Sequence, residues 1–528
     1  MSYEPSSGIW TRRNFLARIG VAGVASAAVL GEVGGPHALW AQAKPVDLSS
    51  LRFLCLDPAE FETLVGLRQR VTPARKEPRT PVFEPQVGQF DSLRVFNHGT
   101  VLHDQNRFRM WYGAMGQPDS ARPWWEWLRA GYAESEDGIR WRRVAVTPDG
   151  SHIVPDLPHT CCVYKDELAA DPAHRYLALH FANSGEQRQL AESGQYDPKA
   201  DFIPGHLWTS PDGLRWQKET SRVRFVGDKP LSFVPQCFFR DLQAADPARR
   251  WKAYGFSSLT LRSRAGIYAY SADGRTWTVP PSNPILKPVE RGAPKDSTGP
   301  AQHIHDTVVW RYSGYYLAFY QYLYGPDQAD VELAVSRDGE HFAFVAPGEK
   351  VIARGGPGEW DRGEILPTLP VIVGDEVWLY YGASDYYHPS DGPFDRKRAD
   401  TSRVCAGLAR LPLGRFACFE PQADTAESYL MTRPTRLPGT APMRLIVNAA
   451  CGAGDSLTVE VQTAAGLPLA GYARKDCVPI AGDASRQVVT WRTSGEQIRP
   501  ADQPIKVRFD FRGAARLYGF SWQPAADG

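Results

Sequence analysis

The sequence predicts an all-β chain, with repeated sheets in its middle and a second β module behind them, on three observations. A short box recurs along the middle of the chain, β-like runs precede each copy, and the pattern changes after about residue 420. Trp, Tyr and Phe number 16, 22 and 23 among 528 residues, a content that suits pleated faces on which flat rings pack. The hydrophobic (43%) and charged (23%) fractions are those of a folded soluble protein. A formal net charge of +1 offers no basic face of the kind nucleic acid requires, so no nucleic-acid partner is expected.

The box begins at Ser135, Ser210, Ser271 and Ser336, at spacings of 75, 61 and 65 residues. It reads Ser-x-Asp-Gly-x-x-Trp, ending in Trp141, Trp216 and Trp277, with Phe342 in the fourth copy. Asp-Gly supplies the positive φ that a tight turn needs, and the Ser and Asp side chains can bind nearby amides. Upstream of each box lie two β-rich runs, such as Arg107–Tyr112 and Gly131–Glu134 before the first. Each repeat is long enough for four strands. A fifth unit, with strands near 371–381 and 404–410, has the same order without the box. Five such units imply a five-bladed β-propeller over residues 86–420, because sheets repeated around an axis leave few exposed edges.

Residues 425–528 hold alternating strands separated by Pro and Gly turns, which predicts a C-terminal β-sandwich acting as an accessory domain. Residues 44–85 are expected to pack on the propeller as an N-terminal extension, with a short helix at 58–68. Residues 11–16 read Thr-Arg-Arg-Asn-Phe-Leu and resemble a twin-arginine export signal. An apolar run from Ile19 to Leu30 follows, and then Ala41-Gln42-Ala43 as a cleavage site. Residues 1–43 are thus expected to be a signal peptide and the mature protein to be periplasmic or secreted, with no stable membrane insertion. The eight cysteines show no zinc spacing, and Cys451 with Cys477 is one possible disulfide.

Over residues 85–420 the blade count, the boxes and the appended sandwich resemble the five-bladed propeller glycoside hydrolases, namely the invertase and levansucrase group and the arabinanase and xylosidase group. That resemblance implies a saccharide ligand or substrate and carboxylates brought from different blades to the axis, at or before the innermost strands. One carboxyl protonates the leaving oxygen while another attacks or activates water. The positions that match are Asp91 with Asn97-His98-Gly99 in the first blade, Asp156 and His159 in the second, and Gln236-Cys237 in the third. The fourth offers His303, His305 and Asp306, and the fifth Asp361 and Glu364. The sequence departs from the invertase group: its Asn-Asp-Pro-Asn and Arg-Asp-Pro motifs are absent, and Gln236 stands where that group has an acid.

The expected catalytic set is therefore Asp91, Asp306 and Glu364. His98, His159, Gln236, His303 and His305 are expected to bind substrate, with Trp125 and Tyr322 as stacking platforms. His303 and His305 should share one face of a strand by period-two geometry. No cofactor is expected, although the His set is of a kind that suits a divalent metal at the axis. Two other readings compete. One is a non-catalytic carbohydrate-binding propeller, in which Gln236 replaces an acid because no chemistry occurs. The other is a sialidase, disfavoured by five blades rather than six and by the lack of an Arg triad.

Overall fold

A computed structural model describes residues 52–96, 98–116, 128–155, 157, 162–182, 184–227, 233–260, 263–289, 302–324, 328–386, 402–437, 441–499 and 503–525. The described part is all-β, with one α-helix, Ser184–Glu192, and a few 3-10 turns. The export signal expected over residues 1–43 lies outside the described residues. No described helix is long and apolar enough to cross a membrane.

Between Gly99 and Pro412 the strands form consecutive antiparallel sheets, numbered I to V here. Sheet I holds Gly99–Asp104, Arg107–Met115, Leu128–Ser135 and Arg142–Arg143. Sheet II holds Val163–Lys165, Tyr176–Phe181, Gly205–Ser210 and Gln217–Lys218. Sheet III has Val234–Arg240, Trp251–Thr260, Ser263–Ser271 and Thr276–Thr278, with Arg224–Val226 parallel to the last. Sheet IV runs through Gln302–Tyr312, Tyr315–Tyr324, Ala329–Ser336 and Ala343–Phe344. Sheet V contains Glu364–Pro367, Glu376–Ser384 and Val404–Pro412, and a parallel bridge from Ala329 to Glu364 joins it to sheet IV.

The outermost strand of sheet V is Arg75–Lys76, contributed from the N-terminal part of the sequence. This explains why the fifth unit lacks a box. In the other sheets a box turn leads from the third strand to the fourth, whereas here the fourth strand arrives separately and no turn is needed.

The boxes act as the sequence suggests. Ser135 Oγ accepts from the Gly138 amide at 2.8 Å, and Asp137 Oδ1 accepts from the Ile139 and Arg140 amides at 2.9 and 2.7 Å. The same bonds recur at Ser210, Ser271 and Ser336. The four glycines have φ of 70°, 76°, 75° and 79°, a left-handed region that side chains with a Cβ rarely enter. Box carbonyls also tie sheets together. Trp111 of sheet I donates to the Gly213 carbonyl of sheet II (2.7 Å), Tyr254 of sheet III to Gly339 of sheet IV (3.0 Å), and Tyr380 of sheet V to Gly138 of sheet I (2.7 Å). The last bond, with the stacked Phe108–Trp378 pair, closes the series from the fifth sheet to the first.

A second repeated device went unread in the sequence. The carboxylate that ends one sheet's first strand meets a cation on the first strand of the next. Asp104 pairs with Lys165 (2.8 Å), Asp166 with Arg240 (2.5 Å) and Asp241 with Arg311 (2.5 Å). All three carboxylates are buried, so each needs its partner.

The C-terminal module consists of two sheets around a separate apolar core that includes Phe61, Phe419, Leu445, Val459, Trp491 and Phe509. Residues 52–71 belong largely to it. Arg52–Leu54 pairs with Arg516–Pro524, Phe61–Val65 with Tyr429–Thr432, and Leu67–Val71 with Ala417–Pro421. The expected extension thus supplies three strands to the C-terminal sheets and one to sheet V. The helix expected at 58–68 is only a 3-10 turn, Pro58–Glu60, because the residues beyond it pair as strands. Cys451 and Cys477 are not bonded to each other. All seven described cysteines are buried thiols, and Cys477 Sγ accepts from the Val459 amide instead.

Candidate active site

In each sheet the backbone enters its first strand at the same end. Gly99 and Glu364 open their strands, while Gln236, His303, His305 and Asp306 lie near the start of theirs. Because the sheets are antiparallel meanders, the second strand ends where the first begins, which brings His180 of sheet II to the same end. Residues in or just before the first strands of all five sheets line one narrow cavity of about 20 Å³: His98, Cys162, Gln236, Val308 and Pro367. A space of this size holds a single water, so any larger ligand sits at its mouth.

Two β-bulges shape that mouth. In sheet IV the pairing jumps from Ile304↔Tyr322 to Thr307↔Tyr320, so His305 and Asp306 together oppose one residue. Successive side chains of a regular strand point to opposite faces, yet His305 Nδ1 lies 2.6 Å from Asp306 Oδ1. The bulge re-aims Asp306 beside His305, whose ring also lies 4.3 Å from that of Phe256 in sheet III. His303 Nδ1 instead accepts from the Arg264 amide at 3.0 Å. In sheet III the pairing jumps from Pro235↔Gly255 to Cys237↔Tyr254, leaving Gln236 as the extra residue. Opposite it, a Cβ on Gly255 would lie 1.8 Å from the Val234 carbonyl oxygen, so only glycine admits this bulge.

Asp306 is the hub. It is fully buried, and its Oδ1 accepts from both His305 and Gln236 Nε2. Its Oδ2 lies 3.4 Å from His98 Nδ1, an ion contact rather than a short hydrogen bond. Gln236 uses its other end as well, its Oε1 accepting from the Thr307 amide at 2.6 Å. It therefore clamps the sheet IV bulge from the neighbouring sheet, a role that differs from the expected substrate contact. Burial alone would raise the Asp306 pKa. The charges and hydrogen bonds of His98 and His305 override it and hold the carboxyl well below the usual range.

His98 has a left-handed backbone, φ 67°, which is rare for a residue with a Cβ and turns the backbone abruptly into Gly99. Burial opposes its protonation, but Asp306, and Glu364 behind it, raise its pKa above the ordinary value. Glu364 is itself buried at the start of the first strand of sheet V. His98 thus stands in the field of two carboxylates from different sheets.

His180 was missed in the sequence, having no motif around it. It pairs across the sheet with His206, and its Nδ1 lies 2.6 Å from the Phe181 carbonyl. Burial pushes its pKa down to about 4, partly opposed by that carbonyl and assisted by repulsion from His98 and His206. His206 in turn meets Glu186 of the helix Ser184–Glu192 at 2.6 Å.

Other expected site residues lie elsewhere. Asp91 is not in this group. It accepts from Tyr112 (3.0 Å) and from Arg143 Nε (2.7 Å) on the outermost strand of sheet I, as a buried structural carboxylate does. Asp361 is paired with Lys76 at 2.6 Å and bonded by Tyr381. Tyr322 is fully buried, its hydroxyl 2.5 Å from the Val289 carbonyl and 2.6 Å from Gln302 Oε1, which removes it as a platform. Asp156, His159 and Trp125 lie outside the described residues. Among the described residues no group of three or more His, Cys, Asp or Glu has the geometry to hold a metal.

No protein-family profile and no curated protein matches this sequence. Solved structures do. One described as a glycoside hydrolase is similar at 13% identity and TM-score 0.43, over 65% of the present sequence and 92% of its own. The GH32 β-fructofuranosidase of Bombyx mori is similar at 10% identity and TM-score 0.35, over 85% and 95%. A family 43 arabinoxylan arabinofuranohydrolase from Bacillus subtilis is similar at 10% identity and TM-score 0.34, over 84% and 99%. Similar structures also include glycoside hydrolases of families 117 and 62. These are the kinds of protein that the sequence resembles. Likeness of this degree concerns shape and decides nothing about chemistry.

Proposed function

We propose that sheets I to V are the blades of a five-bladed propeller and that its axial mouth is the active site of a glycoside hydrolase acting on an extracellular saccharide. One observation carries the reading. A fully buried, strongly acidic carboxylate, Asp306, is held by two bulges at the end of the axis where a second carboxylate, Glu364, acts on the same histidine. Glycoside hydrolysis needs two carboxyl groups, one to attack or activate water and one to donate a proton. Asp306, anionic at all ordinary pH, serves as nucleophile or base. Glu364 is the proton donor, and His98 between them sets their charge balance. The Asp91 role proposed from the sequence is dropped, because Arg143 and Tyr112 already occupy it. The twin-arginine-type leader supports export before action on the substrate.

A non-catalytic saccharide-binding propeller is the second reading. It is favoured by the absence of solvent exposure at Asp306 and by Gln236 in place of an acid. Turnover on a panel of oligosaccharides separates the two. Asp306→Asn and Glu364→Gln should each lower turnover about 10²–10⁴-fold with the fold intact. Unchanged turnover in both variants would refute the assignment, and binding without turnover in the wild type would establish the second reading.

A further inference from the structure

A cavity of about 450 Å³ lies between the first hairpin of sheet IV at Tyr312, the turns of sheet V at Asp375 and Gly414, and the C-terminal module. Its size falls within the range of small-molecule sites. The paired strands Arg52–Leu54 and Arg516–Pro524 form its floor, with the rings of Phe53 and Phe520 packed into the C-terminal core. One wall is closed by Arg415, which meets Asp483 at 2.6 Å and donates to Asn448, so its charge is already matched.

Two other guanidinium groups in the cleft are not matched. Arg52 reaches only the hydroxyls of Tyr312 and Ser313, at 3.3 and 3.2 Å, and Arg486 only Gln523 Oε1 at 3.0 Å. Neither takes part in an ion pair among the described residues. The remaining charge is the exposed carboxylate of Asp375. The cleft therefore combines two Arg forks outside any ion pair among the described residues with the exposed Asp375 carboxylate and the polar residues Asn448, Ser485 and Ser521.

We infer that this cleft is a second saccharide site, selective for a sugar that carries a carboxylate. The forks of Arg52 and Arg486 match a carboxylate in geometry and charge, and Asp375 accepts from ring hydroxyls. Holding a polymer at two places raises its effective concentration at the axial mouth. The ligand class rests on the saccharide reading above, while the site itself rests on the cleft.

The test is binding of a galacturonate oligomer to the full protein by calorimetry, beside its methyl ester and a neutral oligosaccharide. The acid should bind at least tenfold more tightly than the ester, and added salt should weaken it. Arg486→Ala, at an exposed position, and Arg52→Ala should each reduce affinity at least tenfold with thermal unfolding unchanged, whereas Asp306→Asn should leave affinity intact. Equal binding of acid and ester, no binding of either, or binding lost in Asp306→Asn but kept in Arg486→Ala would each overturn the inference. Turnover without selective uronate binding removes the cleft site alone. Uronate binding through Arg486 without any turnover preserves it and removes the hydrolase reading.

Discussion

Replacing Asp306 by Asn tests the charge arrangement of the mouth without reference to any substrate. The carboxylate receives hydrogen bonds from His305 and Gln236 and an ion contact from His98. An asparagine keeps the shape and one acceptor oxygen, loses the charge, and turns an amide group toward His98. Removing one partner of a buried ion pair costs about 3–5 kcal/mol, and the retained hydrogen bonds place the expected loss near the lower end, about 3 kcal/mol. The pH dependence has two limbs. The Asp306 pKa is depressed in the folded state, so its contribution is present above the unfolded value of about 3.9 and disappears as pH falls through the folded one. The His98 pKa is raised, so its contribution is complete below the unfolded value of about 6.5 and disappears as pH rises through the folded one. The stability gap between wild type and Asp306→Asn should therefore be widest between about pH 4 and 6.5 and narrow on both sides. Denaturant unfolding across pH measures the gap, and NMR of the His98 imidazole should show its titration midpoint falling in the variant. A gap that is flat in pH, or an unmoved His98 midpoint, would refute the reasoning.

His180 should stay neutral, with the proton on Nδ1, until pH falls to about 4, which imidazole ¹⁵N shifts report directly. Because its folded pKa lies below the unfolded one, it should subtract stability progressively as pH drops below about 6.5; a normal midpoint would contradict the burial argument. Asp241→Ala should destabilise the protein by about 3–5 kcal/mol in urea unfolding. It strands Arg311 and the Tyr316 hydroxyl, both bound to a fully buried carboxylate. A loss below about 1 kcal/mol would show that the ion ladder between sheets is not structural.

Features written in local chemistry were legible in the sequence. The boxes, the strand runs and the number of units follow from Asp-Gly turns and alternation, which depend on neighbours within a few residues. Asp306 and Glu364 were found because the start of each first strand is itself a sequence position. What required the tertiary structure was pairing between distant segments. Nothing near Arg75 marks it as the last strand of sheet V, and nothing near Asp91 says that Arg143 will cover it. A bulge is a one-residue mismatch between two strands, so neither strand alone shows it; only the pairing reveals that His305 and Asp306 point the same way and that Gln236 clamps them. His180 has no motif and becomes part of the mouth only because a meander returns its second strand to the start of its first. Local preferences determined which strands form, while long-range contacts decided which buried charges neutralise one another and which are left to act.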